Sequence, residues 1–194
     1  MSVVEIKDLV KHYGKVHALQ GVSLSVEKGE IYGLLGRNGA GKTTMIKILL
    51  SIVRPTSGEA HLLDFPAGSS ELRKRVGYLP EDHRFPDYHT SYSLLDFYGT
   101  LYGMPSSERK KKTLEVLEIV DLVEDGHRKI RTYSKGMKQR VGLAQAMLHD
   151  PDVYFLDEPT DGVDPIGRKK IREVLKDKFD LRKLIIDVAS LIYN

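Results

Sequence analysis

The run GRNGAGKT at residues 36–43 constrains this chain more than any other stretch. It fits the spacing G-x-x-x-x-G-K-[S/T]. Before it comes a nearly continuous apolar run, IYGLLG, of the kind a buried parallel strand shows. After it, KTTMIKILLSIV (42–53) carries apolar residues at Met45, Ile46, Leu49, Leu50 and Val53, which is helical spacing. A strand, a glycine-rich loop and a helix in that order make a phosphate cradle. Gly36, Gly39 and Gly41 let the backbone wrap closely around an anion, with successive N–H groups pointing inward. Lys42 supplies a point charge near the β- and γ-phosphates, and the Thr43 hydroxyl is suited to ligate Mg2+. With Asn38 and Thr44 from the same run, these residues form the expected nucleoside triphosphate site.

A second stretch completes the chemistry. In VYFLDEP (153–159) four apolar residues bring Asp157 to the edge of a sheet, where it binds Mg2+ through water. Glu158 follows at once and points elsewhere, suited to accept a proton from an attacking water. A net charge of +3 is too small to imply a nucleic-acid partner, and the absence of cysteine excludes disulfides and thiolate chemistry. The longest strongly apolar stretch, IKILLSIV at 46–53, is far shorter than a bilayer span. The start, MSVVEIKDLV, has no charged segment leading into an apolar core, so no signal peptide is expected and the chain reads as cytosolic.

The elements around these motifs describe an α/β core interrupted by helices. Strands are expected over VVEIKDL (3–9), GVSLSV (21–26), EAHLLDF (59–65), VGYLP (76–80), DVYFLDEP (152–159) and KLIIDVAS (183–190). SSELRKR (69–75) reads as a capped helix, and Pro165 starts another. Between 82 and 132 only helices are expected, SLLDFYGTLYGM and SSERKKKTLEVLEIVDLV, the second capped by Ser106 or Ser107. The expected organisation is therefore a core of 1–81 and 133–194 with a helical lobe of 82–132 inserted. YSKGMKQR (133–140) reads as a loop opened by Gly136 into a helix running to His149, a second candidate anion site.

Taken in order, GRNGAGKTT, YSKGMKQR, VYFLDEP and DGVD resemble the ATPase subunit of an ABC transporter, over about residues 3–180. The resemblance implies a P-loop NTPase core sheet with helices on both faces and an inserted helical lobe. It also implies ATP and Mg2+ as ligands, and a second ATPase subunit packed head to tail, as a homo- or heterodimer. YSKGM then takes the place of the signature motif, so that Ser134, Gly136 and Met137 approach the ATP held by the partner. The motif departs from the commoner L-S-G-G-Q at Tyr133, Lys135 and Met137, as ATPases of export-type systems do. Tyr13 resembles the aromatic that stacks on adenine. Glu81 stands in the place of the Q-loop glutamine, within reach of Mg2+ or water, and Asp164 resembles the D-loop aspartate.

By the same resemblance the helical lobe leans on an integral membrane permease, which would hold the chain at the inner face of the cell membrane. Six aromatics there (Phe85, Tyr88, Tyr92, Phe97, Tyr98, Tyr102) form either a docking groove or the lobe's own core. His83, Asp87 and His89 match no standard metal spacing, and ERKKK (108–112) reads as a solvated helix face. The leading expectation is a motor subunit for a separate permease, an exporter. The alternative is a soluble ABC-type ATPase acting on nucleic acid or the ribosome. Such proteins usually join two cassettes or carry long coiled coils, and neither is present here. After KLIIDVAS the family pattern calls for a histidine, but this chain reads LIYN, and from about 177 it loses the family look. That implies a truncated or frame-altered copy which binds ATP and hydrolyses it slowly, if at all.

Overall fold

The computed structural model describes residues 2–37, 39–66, 69–82, 84–160, 163–173 and 184–190. They divide into two compact units. One is Met1–Val76, Asp152–Glu158 and Leu181–Asn194, and the other is Gly77–Pro151 and Pro159–Asp180.

In the first unit, β1 (Ser2–Tyr13) and β2 (Val16–Glu27) form an antiparallel hairpin closed by Gly14 and Lys15. Beside β1 lie β4 (Ser57–Leu62) and then β5 (Phe65–Pro66), in the order β2-β1-β4-β5. Alternation supplies the core face, with Val4, Ile6, Leu62 and Val26 buried. The hairpin strands run several residues beyond the expected 3–9 and 21–26. A shift of register between Ile6 and Leu9, where Asp8 has φ 47°, breaks the period-two pattern that sequence reading relies on. Gly58 (φ 84°) passes this bulge so closely that a Cβ would lie 2.3 Å from the Asp8 carbonyl oxygen.

The same unit holds three parallel strands, β3 (Ile31–Gly36), β7 (Val153–Asp157) and β8 (Leu184–Ser190). β8 lies in the middle and pairs with both. β7 is buried along all five residues, as its apolar run implies. β3 is not. Tyr32 and Leu34 are half-buried, whereas Gly33 is exposed and Leu35 is 62% exposed, so one face of the strand is open. An apolar run of this length does not decide whether both faces are covered, because that depends on what packs on each. α1 (Lys42–Leu49) stops before the expected Val53, where Ser51 turns into the left-handed region at φ 63°. Ser70–Lys74 is a 3-10 helix rather than an α-helix, and Ser69 accepts a hydrogen bond from the Glu71 amide at its start. β6 (Val76–Leu79) carries the chain into the second unit.

That unit contains α2 (Ser91–Leu101), α3 (Ser106–Ile119), α4 (Lys135–Met147) and α5 (Pro165–Glu173). The expected lobe of 82–132 falls within it. α2 starts earlier than its apolar residues suggest, because Thr90 and Ser93 form a reciprocal capping box. α3 is preceded by Pro105 with no side-chain cap, so neither Ser106 nor Ser107 plays the expected role and both lie in the first turn. The core is aliphatic, built on Leu94, Leu95, Val116, Leu117, Leu122 and Leu143. None of the six aromatics is fully buried, and Tyr88 and Phe97 are exposed. Among the described residues no helix is long and apolar enough to cross a membrane.

Candidate functional site

The glycine-rich loop leaves β3 at Gly36 and enters α1 through Gly41, which precedes the helix in the left-handed conformation at φ 88°. A Cβ on Gly41 would lie 2.4 Å from the Ala18 carbonyl oxygen of β2, so the loop lies against the hairpin where only glycine fits. No side chain caps α1. Among the described residues nothing accepts from the amides of Lys42, Thr43 and Thr44, which are the donors a helix start leaves over. The Lys42 ammonium folds back into the loop, donating to the carbonyls of Gly36 (2.6 Å) and Arg37 (3.3 Å). Spare amides around a lysine cation form an anion receptor. Asn38 lies outside the described residues.

β7 delivers Asp157 to the same edge of the parallel sheet. Gly36 pairs with Ser190 of β8 and Asp157 pairs with Val188, so both strands end at the carboxyl edge of the sheet. Two strand spacings across and two residues along put their Cα atoms roughly 12 Å apart. Ligands of open α/β sheets bind outside this edge. Asp157 is only 1% exposed. Glu158, half-buried, has φ 52°, a conformation that non-glycine residues adopt rarely and at some cost. The turn separates the two carboxylates. A hydroxyl at Thr43 and a carboxylate at Asp157 are hard oxygen donors, and beside an amide cradle they fit a Mg2+–nucleotide. Tyr13, 46% exposed, pairs with Val16 at the hairpin tip, two residues from the Ala18 carbonyl that contacts the loop.

The second unit carries the other candidates. Ser134, not Gly136, begins α4. Its hydroxyl accepts from the Met137 amide at 3.2 Å and keeps its own proton to donate outward. Gly136 is instead a buried residue of the first turn, where a Cβ would lie 3.1 Å from Val163 Cγ1. Asp164 caps α5, its Oδ1 accepting from the Gly167 amide at 3.2 Å. The signature-like loop and the aspartate of DGVD are therefore neighbours, with Val163 between them. Glu81 is exposed, and His83 lies outside the described residues. Among the described residues no group of three or more His, Cys, Asp and Glu side chains is placed to hold a metal ion.

Sequence reading missed two residues that shape this region. Val163, within DGVD, has no role in that reading. Tyr133 looked like a mere departure from a motif, yet it is buried, and its hydroxyl lies 2.9 Å from Ser91 Oγ and donates to the Asp125 carbonyl at 2.7 Å. Burial raises its pKa above the ordinary tyrosine value.

The residue pattern of the ABC transporter family matches residues 19–161. An uncharacterised ABC transporter ATP-binding protein of Synechocystis is 44% identical over 183 residues, which is 90% of this chain and 52% of that protein. The bacitracin transport ATP-binding protein BcrA of Bacillus licheniformis is 37% identical, over 100% of this chain and 63% of its own length. The chain thus spans about half to two thirds of these curated relatives. The dimeric ATP-binding cassette MJ0796, solved in a post-hydrolysis state with ADP and Pi, superimposes with a TM-score of 0.83. It is 27% identical, and the match covers 96% of this chain and 87% of that one.

Proposed function

Because the chain belongs to the ABC transporter ATP-binding family, we propose that it is an ATP-binding and ATP-hydrolysing motor subunit that drives a separate membrane permease. The observation that carries this reading is the loop that holds both the spare α1 amides and the Lys42 ammonium, on the sheet edge where buried Asp157 ends β7.

Each residue then has a task. The amides of Gly39 and of Gly41 to Thr44 hold the β- and γ-phosphates, and Lys42 exchanges its carbonyl partners for phosphate oxygens. Tyr13 stacks on the adenine. Thr43 and Asp157 would hold Mg2+, with Glu81 a further candidate for the ion or its water, and bound there Mg2+ would supply charge neutralisation at the leaving phosphate. Glu158 takes the proton from the attacking water. Ser134, Gly136 and Met137 lie at the start of α4, where amides and the helix dipole favour an anion. That anion is the γ-phosphate of a second subunit packed head to tail, with Asp164 facing its phosphate loop. The helical unit offers the face for the permease, so the chain sits in the cytoplasm against the membrane, without a nucleic-acid partner. Similarity to a bacitracin transport ATP-binding protein supports a role in transport, for which export is the proposed direction.

Glu158→Gln tests the whole. The amide keeps the shape but cannot act as base, so the variant should bind ATP, stop turning it over and accumulate as an ATP-dependent dimer in sedimentation. Loss of ATP affinity equal to that of Lys42→Ala would remove Glu158 from the role of base.

A further inference from the structure

The second unit ties α4 and α5 together twice. The first tie is at their beginnings, where Val163 fills the space between Gly136 and Gly167. A Cβ on Gly167 would lie 2.6 Å from both Val163 Cγ1 and Asp164 Oδ1. The second tie lies further along. Arg140 follows Ser134 by six residues and Lys170 follows Asp164 by six, so each is about 9 Å down its helix from the residue that caps it. Both reach the same place, Asp121, just beyond the end of α3.

Arg140 is only 9% exposed, and its Nη1 donates to the carbonyls of Val120 (2.8 Å) and Asp121 (2.7 Å). A cation there satisfies the carbonyls left over at the end of α3 and suits the negative end of its dipole. The Asp121 carboxylate, held on a backbone with φ 55°, has Oδ2 3.5 Å from Arg140 Nη1 and 2.5 Å from Lys170 Nζ. Lys170 also lowers the pKa of Asp121. One carboxylate therefore closes a bridge from α5 through the end of α3 to α4.

We propose that Asp121, Lys170 and Arg140 are positioning residues: with Val163 they fix the starts of α4 and α5 as one body, so that Ser134 and Asp164 meet the partner subunit together. This rests on the two-subunit reading above. Without the bridge, α5 tilts on the Val163 contact alone. Ser134 and Asp164 then engage the partner one at a time, and closure around ATP weakens while nucleotide binding to a single chain does not.

The bridge is exposed on the Asp121 and Lys170 sides, so its effect is modest, about two- to fivefold, the range for an ion pair near the surface. The test uses the chain carrying Glu158→Gln, with the ATP concentration needed for half-maximal dimer read by sedimentation and the ATP affinity of dilute monomer read separately. Lys170→Ala and Asp121→Ala should each raise the first by that factor and leave the second unchanged. The double variant should be no worse than either single one, and Lys170→Arg should behave as the parent. Gly167→Ala, which drives a methyl into Val163 and Asp164, should give the larger effect. Unchanged dimerisation in Lys170→Ala, whose partner is a surface carboxylate, would overturn the proposal, as would an equal change in monomer affinity. If Glu158→Gln alone forms no ATP-dependent dimer, the two-subunit reading has failed and the bridge falls with it.

Discussion

Replacing Gly41 by alanine tests the phosphate loop at the point where the structure constrains it most. Two costs apply. At φ 88° a non-glycine residue sits in the left-handed region, which costs about 1–2 kcal/mol. The added methyl also meets the Ala18 carbonyl oxygen at 2.4 Å and Leu19 Cδ2 at 2.7 Å. Relieving the first contact requires backbone to move by about 1 Å, an overpacking cost of about 1–3 kcal/mol. Gly39 is the control. It has φ 82°, and no atom lies within 4 Å of its Cβ position, so Gly39→Ala carries the first cost alone. The two variants should therefore differ by about 1–3 kcal/mol, or about five- to 150-fold in the fraction of chains with an intact cradle. Calorimetric titration with Mg2+–ATP reads the difference as affinity, and urea midpoints without nucleotide show how much of it is global stability. Adding Leu19→Ala should recover little, because the carbonyl remains. Equal affinity and equal midpoints for Gly41→Ala and Gly39→Ala would refute the placement of the loop against β2.

Further outcomes follow from the same geometry. Lys42→Ala should weaken ATP binding at least tenfold while leaving the urea midpoint nearly unchanged, since the ammonium bonds only loop carbonyls that solvent can replace. Ser134→Arg should keep the ATP affinity of dilute chain, abolish the ATP-dependent dimer, and cost about 1 kcal/mol through the lost cap, read by denaturation. Burial raises the pKa of Tyr102 and of Tyr133, so the unfolded chain ionises first. Their contribution is whole below the ordinary value near 10 and is lost as pH rises from there through the folded values, seen as a falling melting temperature in alkali. Tyr133→Phe should destabilise the chain, and Ser91→Ala in the same chain should restore part of the loss.

The glycine-rich turn between β3 and α1 was legible because its requirements are local. Glycines at φ 82° and 88°, a lysine and a helix start must be adjacent in sequence to act together. Asp157 was legible for a similar reason, since a fully buried strand of four apolar residues has to end on it. Element boundaries were less so. The bulge at Asp8 hid the true length of β1, and Ser51 ended α1 while apolar spacing still continued. The open face of β3 was illegible because six apolar residues look the same whether one or both faces are covered. The junction of Arg140, Asp121 and Lys170 spans residues up to 49 apart, a separation that leaves no mark in either the 3.6 or the 2.0 period. Gly136 was noticed for the wrong reason. It does not open the helix; it gives Val163 room.

The departures at Tyr133, Lys135 and Met137 make physical sense once each residue's contribution is separated into backbone and side chain. Met137 supplies an amide to Ser134 Oγ, which any residue but proline can do, and Lys135 is an exposed first helical residue. Ser134 and Gly136, the two that keep the family's identity, are those for which the structure allows little choice: one needs its hydroxyl, the other its missing Cβ. Position 133 is different again. It is 6% exposed, so it must fill space, and a tyrosine brings a hydroxyl that needs partners. It finds Ser91 Oγ, itself fully buried at the start of α2, and the Asp125 carbonyl. Removing the hydroxyl by Tyr133→Phe strands the Ser91 hydroxyl away from water, a cost of about 1–3 kcal/mol. Ser91→Ala alone should cost less, because Tyr133 keeps Asp125. Together the two should cost less than their sum by about 1 kcal/mol, since the stranded donor is gone. Tyr133→Leu with Ser91→Ala puts the commoner residue into a matching pocket, and it should keep both the fold and the ATP-dependent dimer. Strict additivity of Tyr133→Phe and Ser91→Ala in urea denaturation would mean that the two hydroxyls do not depend on each other, and this account of the variant motif would be wrong.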